Sequence, residues 1–187
     1  PVRAVPGEGT HIPVWILGSS LFGAQLAAHL GLPYAFASHF APTLLSQALN
    51  IYRETFRPSQ WLDRPYVMVA AGVCAADTDE EAAYHRSSQL LSFARLRTGR
   101  PGKLPLPVED VAAQIPPQVM EQVQSSLSVS ATGSPATVRR ELADILDAYA
   151  PDELIITGMI HDQAARLRSL EIASDVLSEM QEGSVAA

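Results

Sequence analysis

Leu17-Gly18-Ser19-Ser20 is the stretch of this chain best suited to hold an anion. An apolar run ends in a glycine that lets the backbone turn tightly, and two hydroxyls follow at the start of a helical pattern. Free N–H groups and the helix dipole at such a place favour phosphate. The same residues serve any strand-to-helix turn, so spacing alone leaves a phosphate seat and a plain cap both open. No lysine follows the turn and no G-x-G-x-x-G occurs, which excludes an NTP-binding P-loop and a dinucleotide fingerprint.

Other chemistry is sparser. His39, in Ala37-Ser38-His39-Phe40, follows a second apolar run, at the strand end where α/β proteins place ligands. It suits a proton carrier or a polar contact to a ring, and equally a histidine packed beside a turn. His161-Asp162 follows a later apolar run, and Asp162 reads as a helix N-cap. His11, His29 and His85 show no metal-ligand spacing with one another or with Cys74, which reads as inert core. Arg95, Arg97, Arg100 and Lys103 form the one basic concentration, open to a solvated helix end or to an anion or docking role. Asp77, Asp79, Glu80 and Glu81 suit a helix N-terminus. No carboxylate pair, Ser-His-Asp set or zinc motif can be assembled.

The elements that must position these residues alternate regularly. Strands are expected at Pro13–Leu17, Pro33–Ala37, Tyr66–Cys74 and Leu154–Thr157. Helices are expected over about Leu21–Leu30 (stopped by Gly31), from Pro42, from the Thr78/Glu81 capping box to about Arg97, from Ser134-Pro135 to about Tyr149, and over about Asp162–Met180. Thr98–Val129, rich in proline and glycine, reads as an excursion with low local stability, suited to a lid. Strands separated by helices imply a parallel sheet. The pattern alone allows a small doubly wound sheet or four βα units of an eight-unit barrel.

Composition bounds the rest. The chain has 187 residues, 47% of them hydrophobic and 18% charged, which is globular composition and excludes a disordered chain. The longest apolar run, Tyr66–Ala76, falls short of the roughly 20 residues a membrane span needs. A net charge of −7 disfavours nucleic-acid binding. A single cysteine fits a reducing, cytoplasmic setting. The opening residues carry no secretory signal and read as a loop partway through a larger protein.

Several motifs in order resemble one family. Pro13-Val14-Trp15-Ile16-Leu17-Gly18-Ser19-Ser20, Gly23-Ala24-Gln25-Leu26-Ala27-Ala28 and Gly31-Leu32-Pro33-Tyr34-Ala35-Phe36-Ala37-Ser38-His39-Phe40 look like the luciferase-like flavin-dependent monooxygenases. So do Gly133-Ser134-Pro135-Ala136-Thr137-Val138, Asp152-Glu153-Leu154-Ile155-Ile156-Thr157 and His161 to Ser169. The resemblance implies the C-terminal half of a (β/α)8 TIM barrel over residues 1–187, with a lid insertion at about 98–129 and no counterpart of the family's first four strands. It implies a part of an oxidoreductase that uses reduced FMN and oxygen to oxidise a small organic substrate, with the deazaflavin F420 replacing FMN in some relatives. Gly18, Ser19 and Ser20 match the turn that holds the flavin phosphate, and Ser38 and His39 would lie near the flavin pocket. A separate flavin reductase is an implied partner, as is a second copy or a separate N-terminal half. The alternative is a non-catalytic half-barrel that binds flavin or phosphate, or pairs with another subunit.

Overall fold

The computed structural model describes residues 2–185, and the side chains of 2–182. The elements in order are β1 (Ile16–Gly18), α1 (Leu21–Leu30), β2 (Tyr34–Phe36), a 3-10 turn (Pro42–Leu44), α2 (Leu45–Thr55), β3 (Val67–Ala75) and α3 (Asp79–Arg97). They continue with α4 (Pro117–Ser126), β4 (Ser130–Gly133), α5 (Pro135–Tyr149), β5 (Glu153–Thr157) and α6 (Gln163–Val185).

Every strand pairing is parallel. β3 is the centre: Val67–Val69 pair with β2, Met68–Gly72 with β5 and Gly72–Ala75 with β4. Gly72 is in register with both Ser130 and Thr157, so β4 and β5 lie on opposite edges of β3. β4 therefore continues the edge that β2 occupies lower down. The main run is β1-β2-β3-β5, in chain order. It lacks the reversal in strand order that makes the switch point of a doubly wound sheet.

Alternation along β3 divides the two faces. Val67, Val69, Ala71, Val73 and Ala75 belong to the main core, together with Ala24 and Ala27 of α1, Leu45 and Tyr52 of α2, Leu142 of α5 and Ile172 of α6. Four helices thus cover one face. On the other face, Gly72 and Cys74 meet α3: the Cys74 thiol donates to the Ala82 carbonyl at 3.4 Å, and a Cβ on Gly72 would lie 3.6 Å from Arg86 Nη1. Toward the edges that second face is open, with Leu17 71% and Ile155 49% exposed.

Three sequence expectations need correction. β1 begins at Ile16 rather than Pro13, because pairing starts where the Ile16 N–H donates to the Pro33 carbonyl and proline has no N–H to offer. A fifth strand, β4, exists although Ser130-Ala131-Thr132-Gly133 carries no apolar run. It forms because β3 outlasts β2 and its edge needs partners: Gly72 N–H donates to Val129 O, and Ala76 N–H to Gly133 O. The excursion is also better ordered than its composition suggests. It contains α4, and Ile115, Val123 and Leu127 pack with Leu91 and Ala94 of α3 into a small second core.

Candidate functional site

Gly18 ends β1 and its carbonyl accepts from the Ala37 N–H at 3.1 Å, which ties the ends of β1 and β2 together. A Cβ on Gly18 would meet nothing nearer than the Gly23 Cα at 3.9 Å, so the turn is roomy. Ser19 and Ser20 are exposed. Ser20 is the N-cap of α1 in extended conformation, and its hydroxyl makes no cap bond. The buried Tyr34 reaches back to this turn, donating its hydroxyl to the Ser20 carbonyl at 3.3 Å, and burial pushes that phenol up to about 12. The first turn of α1 therefore stands with its N–H groups unclaimed by any side-chain cap.

Three other helix starts at the same end of the sheet have side chains engaged. At α3 the Thr78 hydroxyl accepts from the Glu81 N–H at 3.2 Å. At α5, Ser134 makes no side-chain cap. Instead a carboxylate from α3 does the work: Asp79 Oδ1 accepts from the Ser134 N–H at 2.6 Å, and Oδ2 from the Thr137 hydroxyl at 3.2 Å. These bonds hold the Asp79 carboxyl below its ordinary range. At α6 the expected cap is present, with the Ala165 N–H donating to Asp162 Oδ1 at 2.8 Å. Side chains thus engage the starts of α3, α5 and α6 but not that of α1; α2, entered through the Pro42–Leu44 turn, also has no side-chain cap.

Ser38 and His39 stand one strand over. Ser38 is fully buried, and its hydroxyl donates to the Ala70 carbonyl at 2.5 Å and accepts from the Ala70 N–H at 3.0 Å. It is consumed in joining β2 to β3, so its hydrogen-bonding capacity is already spent inside the protein. His39 is half-buried, packs edge-on against Phe40 with ring centroids 4.6 Å apart, and leaves Nδ1 buried without a partner. Burial lowers its pKa below the ordinary imidazole value. Cys74 is buried and its thiol is pushed up to about 11 by desolvation, which fits inert packing and not a nucleophile. His161 is exposed.

A family model described as luciferase-like monooxygenase matches residues 1–152. The chain belongs to the luciferase-like monooxygenase family. A luciferase-like monooxygenase of Escherichia coli (strain K12) is 48% identical over 179 residues, which cover 96% of this chain and 53% of that protein. The Bacillus subtilis (strain 168) protein YvbT is 43% identical over 94% of this chain and 52% of its own length. Among solved structures, apo-MsnO8 superposes with a TM-score of 0.81 at 32% identity, over 95% of this chain and 54% of that one. Long-chain alkane monooxygenase LadA shares the fold at 15% identity and a TM-score of 0.53. The chain spans about half the length of the curated relatives it matches.

Within this luciferase-like chain, the sequence singles out the Gly18 turn and His39, while the roles of Tyr34 and Asp79 at the helix starts emerge only from the structure. Tyr34 looked like strand core, and nothing local shows that its hydroxyl anchors Ser20. Asp79 looked like a favourable charge on its own helix, whereas its partners lie 55 and 58 residues away. No helix among the described residues is long and apolar enough to cross a membrane.

Proposed function

We propose that this chain forms the C-terminal half of a (β/α)8 barrel, and that its Gly18-Ser19-Ser20 turn seats the phosphate of FMN in a flavin-dependent monooxygenase. The observation that carries this reading is the roomy, uncapped N-terminus of α1 in a chain of this family. Bound flavin supplies the redox chemistry toward oxygen and a small organic substrate. The chain's own residues bind and orient. N–H groups of Leu21, Phe22 and Gly23 and the hydroxyls of Ser19 and Ser20 are the donors offered to phosphate. Tyr34 fixes the turn from beneath. Ser38 positions the strand end that carries His39, and His39, kept neutral near pH 7 by burial, is left with an unpaired Nδ1 to offer. The open second face, with Leu17 and Ile155 exposed, is where further strands of a closed barrel would pack.

FMN titration followed by flavin fluorescence tests the seat. Gly18→Asp places a carboxylate where phosphate would lie and should abolish binding while circular dichroism stays native. Equal affinity in the two folded proteins would end the proposal.

The same exposed face and the half-length match to relatives favour a second reading, a flavin-binding but non-catalytic half-barrel that works through a partner subunit. Oxygen consumption with reduced FMN separates the two: turnover above the free-flavin rate supports the enzyme, and binding without turnover supports the partner subunit.

A further inference from the structure

The basic concentration on this acidic chain borders a cavity that the flavin site does not use. Between the C-terminal half of α3 and the segment leading into α4 lies a hollow of about 410 Å3, within the roughly 300–1,000 Å3 typical of small-ligand pockets. Its floor is apolar: Leu91, Ala94, Ile115 and Val119 line it, and the first three are almost fully buried. Its rim carries two cations, Arg95 and Arg100. Among the described residues neither guanidinium has a carboxylate within ion-pair distance or a hydrogen-bond partner. Other arginines do find carboxylates, as Arg168 does with Asp77 at 2.7 Å.

The helix dipole accounts for a cation in the last turn of α3, which explains Arg95. It does not explain Arg100, which lies beyond the helix end, at the rim of the same hollow. An apolar floor with unpaired guanidinium groups at its mouth is complementary to an amphipathic anion. The hydrocarbon part gains by leaving water, and the head group gains charge-assisted hydrogen bonds that Arg geometry suits for carboxylates. All lining residues fall between Leu91 and Val119, so the hollow is built by one continuous segment and shares no lining residue with the Gly18 turn or with His39, although α4 also touches the 3-10 turn that follows His39.

We propose that this hollow is a binding site for an organic carboxylate with an apolar body, held by Arg95 and Arg100 at its head and by Leu91, Ile115 and Val119 along its tail. The hollow shares no lining residue with the flavin seat, so it should fill without flavin.

Decanoate, titrated calorimetrically into the protein below its micellar concentration, is the probe, with decanol as its uncharged counterpart. Saturable binding of one decanoate is expected, with affinity at least about tenfold above that of decanol. Arg95→Gln with Arg100→Gln should lower decanoate affinity by about tenfold or more and leave decanol unchanged. Gly102→Trp adds a bulky side chain at a lining position where a Cβ meets nothing within 4 Å, and it should weaken binding of both. Leu17→Ser, on the exposed sheet face, should change neither. Absence of saturable binding overturns the proposal, as does binding that the paired arginine substitution spares. So does binding that Leu17→Ser removes, because it would place the ligand on the sheet.

Discussion

Ser38 closes the gap between β2 and β3 by exchanging two hydrogen bonds with one residue, Ala70. Its hydroxyl donates to the Ala70 carbonyl at 2.5 Å and accepts from the Ala70 N–H at 3.0 Å, so a side chain replaces the next rung of the ladder where β2 has already ended. Ser38→Ala should cost about 1–3 kcal/mol, because two buried backbone groups lose their partners with no water to replace them. Chemical denaturation measures that loss. FMN affinity measured alongside should fall less than with Gly18→Asp, since Ser38 acts through the strand end and not on the phosphate.

His39 provides a pH signature. Burial holds its pKa below the ordinary 6.5, so the folded state resists protonation that the unfolded chain accepts. Its stabilising contribution is therefore present above pH 6.5 and is lost as the pH falls from there through the lower folded value. Melting temperatures recorded from pH 7.5 to 5 should decline in this window, and His39→Gln should flatten that part of the curve. An NMR titration of the His39 ring should show its inflection below the ordinary imidazole value of 6.5. An inflection at or above the ordinary value would show that burial does not govern this imidazole.

What the sequence makes legible depends on how local the cause is. Helix α1 is bounded by residues that act within one turn: Gly31 ends it in the left-handed conformation at φ 63°, where a side chain would also collide with Ser59 and the Arg57 carbonyl. Pro135 likewise marks the start of α5. The parallel order of the sheet follows from apolar runs separated by helices. β4 was hidden because its existence depends on the unused edge of β3, nearly sixty residues earlier, and not on its own side chains. The candidate site divides in the same way. The open turn at Gly18 is a local signal, whereas the fate of the Ser38 hydroxyl is decided by Ala70, 32 residues away. Whether a helix start is free or filled is equally non-local, as Asp79 shows at α5.

Asp79 gives the next expectation. Its carboxylate serves α5 from outside, and the bonds from Ser134 and Thr137 lower its pKa beneath the ordinary 3.8. Stability from this contact is present above that value and is lost as the pH falls through the lower folded one. Asp79→Asn should lower the melting temperature near neutral pH, and the gap to the native protein should narrow in strong acid. Amide exchange should localise the effect to the first turn of α5. A uniform acceleration across α3 instead would show that Asp79 serves mainly its own helix.

The exposed face of the sheet carries the last expectation. Leu17 at 71% and Ile155 at 49% exposure are large apolar side chains on the two outer strands of the main run, β1 and β5. Among the described residues each of these strands pairs on one side only, so unpaired N–H and C=O groups lie beside apolar surface. Relatives that match this chain are about twice as long. The isolated 187-residue chain should therefore self-associate or take up a complementary half, with the latter favoured because closing a barrel requires matched strand tilt and register. Leu17→Ser combined with Ile155→Ser should reduce the associated fraction in light scattering. The melting temperature of the remaining monomer should change little, since both side chains are already exposed. A monomer of 20.1 kDa in the unaltered chain, unfolding cooperatively at high concentration, would mean that the two edges need no partner and would count against the half-barrel.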